Sequence, residues 1–302
     1  MNTAASTTMN TVASTTTERT MPTRDRSRAF GAILVEQGRL SPTDAEEIQR
    51  FAGANGMRFG DAALRLKLLT QDDIDFAIAQ QFNYPVLARG GDGGVSDDVV
   101  AAYNPQSESV EPLRALRSAL SSRWFNETGR KSLAITSPGR QEGRSWIAAN
   151  LAVVFAQIGE RTLLIDADMR HPRQHELFKL RNSVGLSALL TGRAGKETAC
   201  RIHPQLRLFV LPAGILPPNP QELLGRPVFE LVLERFTEQF DVILIDTPPI
   251  GECADAQIVA KRAGGALMLA RRHRSRHTQL SAAMQRMTQA GANVIGSVVN
   301  EG

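Results

Sequence analysis

"AITSPGRQEGRSWIAANLAVVF" (Ala134–Phe155) decides how the rest of the chain is read. An apolar run ends at Thr136, a turn containing Pro138 and Gly139 follows, and Gly143-Arg144-Ser145 opens a long apolar segment of helical length. A strand, a glycine turn and a helix start in that order form a phosphate cradle. Backbone N–H groups converge on the anion, and the positive end of the helix dipole favours it. The usual nucleotide loop reads Gly-x-x-x-x-Gly-Lys-Ser/Thr. Here Arg144 stands at the lysine position and Pro138 at that of the first glycine. Arginine keeps the charge and can still reach a β- or γ-phosphate, but it arrives as a bulkier planar fork. Ser145 offers a hydroxyl to Mg²⁺.

Outward from this loop the pattern is regular. Apolar strands are expected at Leu133–Thr136, Thr162–Asp166, Leu206–Leu211, Val242–Asp246, Ala266–Ala270 and Val294–Val299, with helical stretches between them. Strands this apolar, separated by helices, imply a mostly parallel sheet covered on both faces. The fold class is a doubly wound α/β P-loop NTPase domain preceded by a small helical module. Ligands of such folds bind beyond the carboxyl ends of the strands.

Acidic motifs lie at two of those ends. "TLLIDADMRHP" (Thr162–Pro172) ends a strand at Asp166, and Asp168 and Arg170 follow in the loop. Carboxylates in this position hold a metal or accept a proton from a nucleophile. A strand that merely stops at a polar turn would look the same. "FDVILIDTPPI" (Phe240–Ile250) ends another strand at Asp246, where a carboxylate orients the water shell of Mg²⁺. Each motif alone is ambiguous; the three in this order are not.

Composition bounds the remainder. The chain has 302 residues, 42% hydrophobic and 22% charged, with a net charge of +4. That is room for one sizeable core and a smaller module, and no apolar run reaches the length of a membrane span. The Thr/Ser-rich residues 1–27 lack an apolar signal segment and read as a disordered tail. Cys200 and Cys253 are too far apart to form a recognisable framework or metal site, so a reducing cytoplasm is expected. A basic run, Arg271-Arg272-His273-Arg274-Ser275-Arg276-His277, could meet phosphates, anionic lipid or an acidic partner, or be a solvated loop. No nucleic-acid partner is expected, because aromatics are scarce and no reading helix is evident.

Residues 28–87 contain a repeat: "FGAILVEQGRLSPTDAEEIQ" (Phe30–Gln49) aligns without a gap with "FGDAALRLKLLTQDDIDFAI" (Phe59–Ile78). Ser41 and Thr70 are each followed three residues later by an acid, Asp44 and Asp73, the pattern of a helix N-cap. Pro42 then falls at the first helical position, where a missing N–H does no harm. A Gly-rich stretch, "ARGGDGGVSDD" (Ala88–Asp98), reads as a flexible linker, giving expected divisions at 1–27, 28–87, 88–104 and 105–302. At the start of the last segment, Glu111, Arg114 and Arg117 share one helix face.

With these residues in view, residues 107–302 resemble the bacterial tyrosine kinases of the exopolysaccharide type (the CpsD, CapB and EpsG kinases). Thr136-Ser137 and Glu142-Gly143-Arg144-Ser145 match the family loop TS-x-x-P-G-E-G-K-S apart from the Lys-to-Arg change, with Arg140 and Gln141 in place of its Pro and Gly. Asp166 and Asp168 fall on the family's second acidic motif and Asp246 on its third. "GLSALLTG" (Gly185–Gly192) and "LPAGILPPNPQELL" (Leu211–Leu224) are similar to further family segments. The resemblance implies a protein-tyrosine kinase that uses ATP and Mg²⁺ and regulates exopolysaccharide polymerisation, chain length and export.

It further implies that Thr136, Ser137, Glu142, Gly143, Arg144, Ser145 and Trp146 hold the nucleotide, and that Ser145, Asp166 and Asp246 serve the metal. Arg144, Asp166 and Asp168 would then carry the phosphoryl transfer to a protein tyrosine. Glu111, Arg114 and Arg117 match an E-x-x-R-x-x-R helix that packs subunits together, so a homo-oligomer is expected. Activation and recruitment to the inner face of the plasma membrane would come from a membrane polysaccharide co-polymerase. The N-terminal repeat is similar to the front module of type II secretion ATPases, some of which bind cyclic di-GMP. Arg58-Phe59-Gly60 fits that pattern, but Ala29 and Lys67 depart from it, so a protein-docking role is expected instead.

Other readings stay open at this stage. Arg144 and the absence of a tyrosine cluster in "SVVNEG" (Ser297–Gly302) fit a non-catalytic ATP-binding switch or scaffold of the export machinery. A DNA-partitioning ATPase fits less well, because the loop lacks the extra lysine those proteins place near its start.

Overall fold

The computed structural model describes residues 23–82, 84–87, 89 and 94–301. Residues 1–22, most of the expected tail, lie outside them. The chain divides into two compact units, one ending at Asp73 and one beginning at Ile74. The division therefore falls earlier than the expected boundary after residue 87.

In the first unit the repeat is visible in the backbone. Helices span Thr23–Glu36, Pro42–Asn55 and Phe59–Arg65, and a further helix, Gln71–Gln81, begins at its end. The first of these starts at Thr23, inside the stretch read as tail, because residues 23–29 contain no glycine or proline to stop a helix. Ser41 Oγ accepts the Asp44 N–H at 3.1 Å, with Pro42 at the helix start. Thr70 and Asp73 cap reciprocally: Asp73 N–H donates to Thr70 Oγ1 at 3.3 Å, and Thr70 N–H donates to Asp73 Oδ2 at 3.0 Å. The two Phe-Gly pairs meet, with the rings of Phe30 and Phe59 edge to face at 5.9 Å. Gly38 and Lys67 occupy equivalent places in the two halves and both adopt left-handed backbone, at φ 68° and 57°. Lys67 takes there a conformation that glycine adopts without strain.

The second unit is built on a sheet whose strands are β1 (Ser132–Thr136), β2 (Thr162–Asp166), β3 (Cys200–Arg201), β4 (Leu208–Leu211), β5 (Val242–Asp246), β6 (Gly265–Arg271) and β7 (Asn293–Asn300). Among the described residues their order is β3-β4-β2-β5-β1-β6-β7. All pairings are parallel except β3 on β4, a two-residue edge strand too short to leave a periodic signal. Strands β1, β2 and β5 are buried along their whole length, as their continuous apolar runs require. Alternate residues feed opposite faces. Leu133, Ile135, Leu164 and Leu244 pack with the helix Arg144–Gln157, while Ala134, Leu163, Ile165 and Ile243 pack with Phe229 and Leu233.

From Gly94 onward the stretch expected to be a flexible linker belongs to this core. Val95 and Val99 are buried, and Ser96 N–H donates to the Leu177 carbonyl at 2.7 Å. Residues 88 and 90–93 of that stretch lie outside the described residues. Among the described residues, no helix is long and apolar enough to cross a membrane. Cys200 and Cys253 are free thiols.

Candidate active site

Strand β1 delivers the loop. Thr136 is its last residue, Gly143 caps the following helix in left-handed backbone at φ 90°, and Arg144 starts the helix. A Cβ at Gly143 would lie 2.1 Å from Asn300 Nδ2, a side-chain end that can move aside, so it is the left-handed backbone that calls for glycine there. Gln141, where related loops carry glycine, is left-handed at φ 59°, a local strain of about 1 kcal/mol. The segment after β5 is zipped to the same loop: Ile250 N–H donates to the Ser137 carbonyl at 3.0 Å and Gly251 N–H to the Pro138 carbonyl at 3.1 Å.

Arg144 is buried at 8% exposure, and its fork is largely occupied by the loop itself. Nε–H donates to the Thr247 carbonyl at 2.8 Å, and Nη1 donates to Ser137 Oγ at 2.7 Å and to the Gly139 carbonyl at 2.8 Å. Nη2 lies 3.8 Å from Asp168 Oδ2. The guanidinium expected to offset phosphoryl charge thus also has partners within the loop. Nε and Nη1 brace the loop, and Nη2 is left beside the Asp168 carboxylate. A planar donor fork can do both; an ammonium cannot.

The carboxylates divide in a similar way. Asp166 and Asp246 are register partners on β2 and β5 and are fully buried. Asp166 Oδ1 accepts the Asp168 N–H at 3.2 Å, and Oδ2 accepts those of Arg173 and Gln174 at 3.0 and 2.9 Å. It therefore shapes the loop that presents Asp168. Asp246 Oδ2 accepts Gln174 Nε2 at 2.8 Å, while Oδ1 has no hydrogen-bond partner. Loss of hydration raises the Asp246 carboxyl to about 6, although the charge of Arg144, the hydroxyl of Ser145 and the amide of Gln174 pull it back. Loss of hydration and then the Asp246 charge push Asp166 well above the ordinary carboxylate range. Burial also raises Asp168, opposed by the His171 N–H and by Arg144.

A cavity of about 430 Å³ opens over these groups, lined among others by Glu142, Gly143, Arg144, Ser145, Trp146 and Asp168. Among the described residues, no group of three or more His, Cys, Asp and Glu could cage a metal. The donor set instead fits Mg²⁺ in a phosphate site. A buried carboxylate oxygen without a partner lies near the Ser145 position, and Mg²⁺ there takes most of its ligands from phosphate and water. Gln174 had no signal in the sequence: it bridges Asp246 and the Ser145 carbonyl, the latter at 3.1 Å, from a short helix that carries no motif.

The E-x-x-R-x-x-R helix spans Glu111–Leu120 and makes contacts within the chain. Arg114 pairs with Glu111 at 3.2 Å and stacks over Tyr84 at 5.7 Å. Arg117 Nη1 donates to the Val154 carbonyl at 3.4 Å. Glu111 remains the exposed member.

A phosphate loop with buried aspartates at the carboxyl ends of adjacent parallel strands defines a P-loop nucleotide-binding enzyme. No family model matches the chain. It is 37% identical over 198 residues to the putative tyrosine-protein kinase CapB of Staphylococcus aureus, covering 65% of this chain and 86% of that protein. It is 36% identical over 205 residues to the tyrosine-protein kinase YwqD of Bacillus subtilis, covering 67% and 85%. Among solved structures it superposes on the kinase domain of Escherichia coli tyrosine kinase ETK with a TM-score of 0.64 and 34% identity, covering 67% of this chain and 79% of that one. The chain belongs to the bacterial tyrosine-protein kinases of the capsule and exopolysaccharide type.

Proposed function

We propose that the chain transfers the γ-phosphoryl group of Mg-ATP to a tyrosine of a protein partner and so regulates polymerisation, chain length and export of an exopolysaccharide. The observation that carries this reading is that the loop residues Arg140–Trp146 and Asp168 line one cavity at the ends of β1, β2 and β5, with Arg144 Nη2 3.8 Å from the Asp168 carboxylate. Thr136, Ser137, Glu142, Gly143 and Trp146 shape the nucleotide cradle. Ser145 and Asp246 hold the metal, which would offset phosphate charge. Arg144 Nη2 adds a fixed positive charge beside the transferring group, where preorganised charge contributes most.

Asp168 orients the acceptor hydroxyl and takes its proton, a role its raised pKa suits. Asp166, with both oxygens engaged by backbone amides, supports Asp168 and reaches the metal only through Asp246. The helix Glu111–Leu120, through Glu111, Arg114 and Arg117, joins copies into an oligomer. A membrane co-polymerase recruits and activates the kinase at the cytoplasmic face of the plasma membrane. The N-terminal unit docks a protein partner, and neither cyclic di-GMP nor nucleic acid is part of this reading.

The test is incubation with labelled Mg-ATP, with and without the cytoplasmic segment of the co-polymerase, followed by phosphotyrosine detection. Transfer to tyrosine supports the proposal. ATP binding without any phosphotyrosine would leave a nucleotide-dependent scaffold in its place.

A further inference from the structure

The basic run that begins at the end of β6 touches the phosphate loop through Arg271 and through one side chain that carries no charge, Ser275. Ser275 Oγ accepts the Arg271 N–H at 2.7 Å and donates to Glu142 Oε1. The other oxygen of that carboxylate, Oε2, accepts the Gly139 N–H at 2.8 Å. Around this relay Arg271 Nη1 donates to the Gln141 carbonyl at 3.1 Å, and Asn300 Nδ2 donates to the Glu142 carbonyl at 3.3 Å. The turn is itself held to β7, since Arg272 N–H donates to the Asn300 carbonyl at 2.8 Å. The ends of β6 and β7 thus grip residues 139–143.

Glu142 poses a physical problem that this grip answers. It is a carboxylate at 3% exposure in the wall of a cavity meant for phosphate, where like charges repel. A buried carboxylate is tolerable when both oxygens are hydrogen-bonded, and its charge then spreads onto the donors. Gly139 supplies one donor and Ser275 the other.

We propose that Ser275 is a positioning residue for the nucleotide: it holds the Glu142 carboxyl in the loop wall and so keeps residues 139–143 in the shape that accepts phosphate. This rests on the reading that the loop binds ATP. Ser275 acts through Glu142, so its loss affects nucleotide binding and leaves the transfer step alone.

The experiment measures Mg-ATP affinity, KM for ATP and kcat for the full chain, for Ser275→Ala and for Ser275→Thr. Loss of one hydrogen bond to a charged group predicts a KM and a dissociation constant raised roughly 10-fold in Ser275→Ala. The same account predicts kcat within about 2-fold of wild type, and Ser275→Thr close to wild type because the hydroxyl returns. Unchanged affinity in Ser275→Ala, a fall confined to kcat, or no rescue by threonine would overturn the inference. Failure of the wild type to bind Mg-ATP would instead strike the proposed function itself.

Discussion

Asp166 and Asp246 stand opposite each other in register at the carboxyl ends of neighbouring parallel strands, both without solvent exposure. Two carboxylates so placed cannot ionise together without help. The structure gives Asp166 three backbone N–H donors and leaves one oxygen of Asp246 unpartnered. Asp246 is therefore the carboxylate with an oxygen open to a further partner.

That placement has a pH signature. A carboxyl raised to about 6 in the folded state binds its proton more tightly there than in the unfolded chain. Its contribution to stability is complete below about pH 4 and is lost as pH rises through about 6, on the order of 3 kcal/mol. Without nucleotide and Mg²⁺, Asp246→Asn should be more stable than wild type at pH 7, with the advantage vanishing near pH 4, and it should be inactive. Urea unfolding across this range measures the difference. A stability gap that does not change with pH would contradict the assignment.

Gly143→Ala should abolish nucleotide binding. Its backbone sits at φ 90°, where an L side chain is strained, and its Cβ would displace the Asn300 side chain that holds the Glu142 carbonyl. Titration with a fluorescent ATP analogue checks this; wild-type affinity would show that the loop is free to move aside.

Arg114→Ala should lower the oligomer mass measured by light scattering, because the helix face loses a charge that also organises Glu111. Unfolding free energy should fall by about 1 kcal/mol or less, the usual worth of an exposed pair and a cation–π contact. Identical masses across concentrations would reduce the helix to an intramolecular brace.

Thr70→Ala should destabilise the first unit by about 1 kcal/mol through loss of the reciprocal cap with Asp73. Thr70→Ser should recover most of that loss. Equal stability of the alanine and serine variants would show that the cap contributes nothing.

Much of this was legible in the residues. Continuous apolar runs gave the positions of β1, β2 and β5 because a strand buried on both faces has no polar register to obscure it. The caps at Ser41 and Thr70 are local chemistry and were read as such. The partners of Arg144 were not legible: two are backbone carbonyls, at Thr247 and Gly139, and a carbonyl has no sequence signature. Gln174 and Ser275 reach the site from segments distant along the chain, so only the folded topology brings them there. The Gly-rich stretch hid Val95 and Val99, whose apolar side chains fix its second half to the core.

The central claim is that Arg144 both braces the loop and supplies a charge to the phosphoryl group. The most direct measurement is Mg-ATP affinity and phosphotransfer rate for wild type, Arg144→Lys and Arg144→Ala. Wild type should bind Mg-ATP at millimolar concentration or below. Arg144→Lys keeps the charge but loses the fork, so it should retain binding and lose no more than about 10-fold in rate. Arg144→Ala should lose roughly 10²-fold or more in rate. A wild type that fails to bind Mg-ATP at millimolar concentration, or an Arg144→Ala variant indistinguishable from it, would contradict the account.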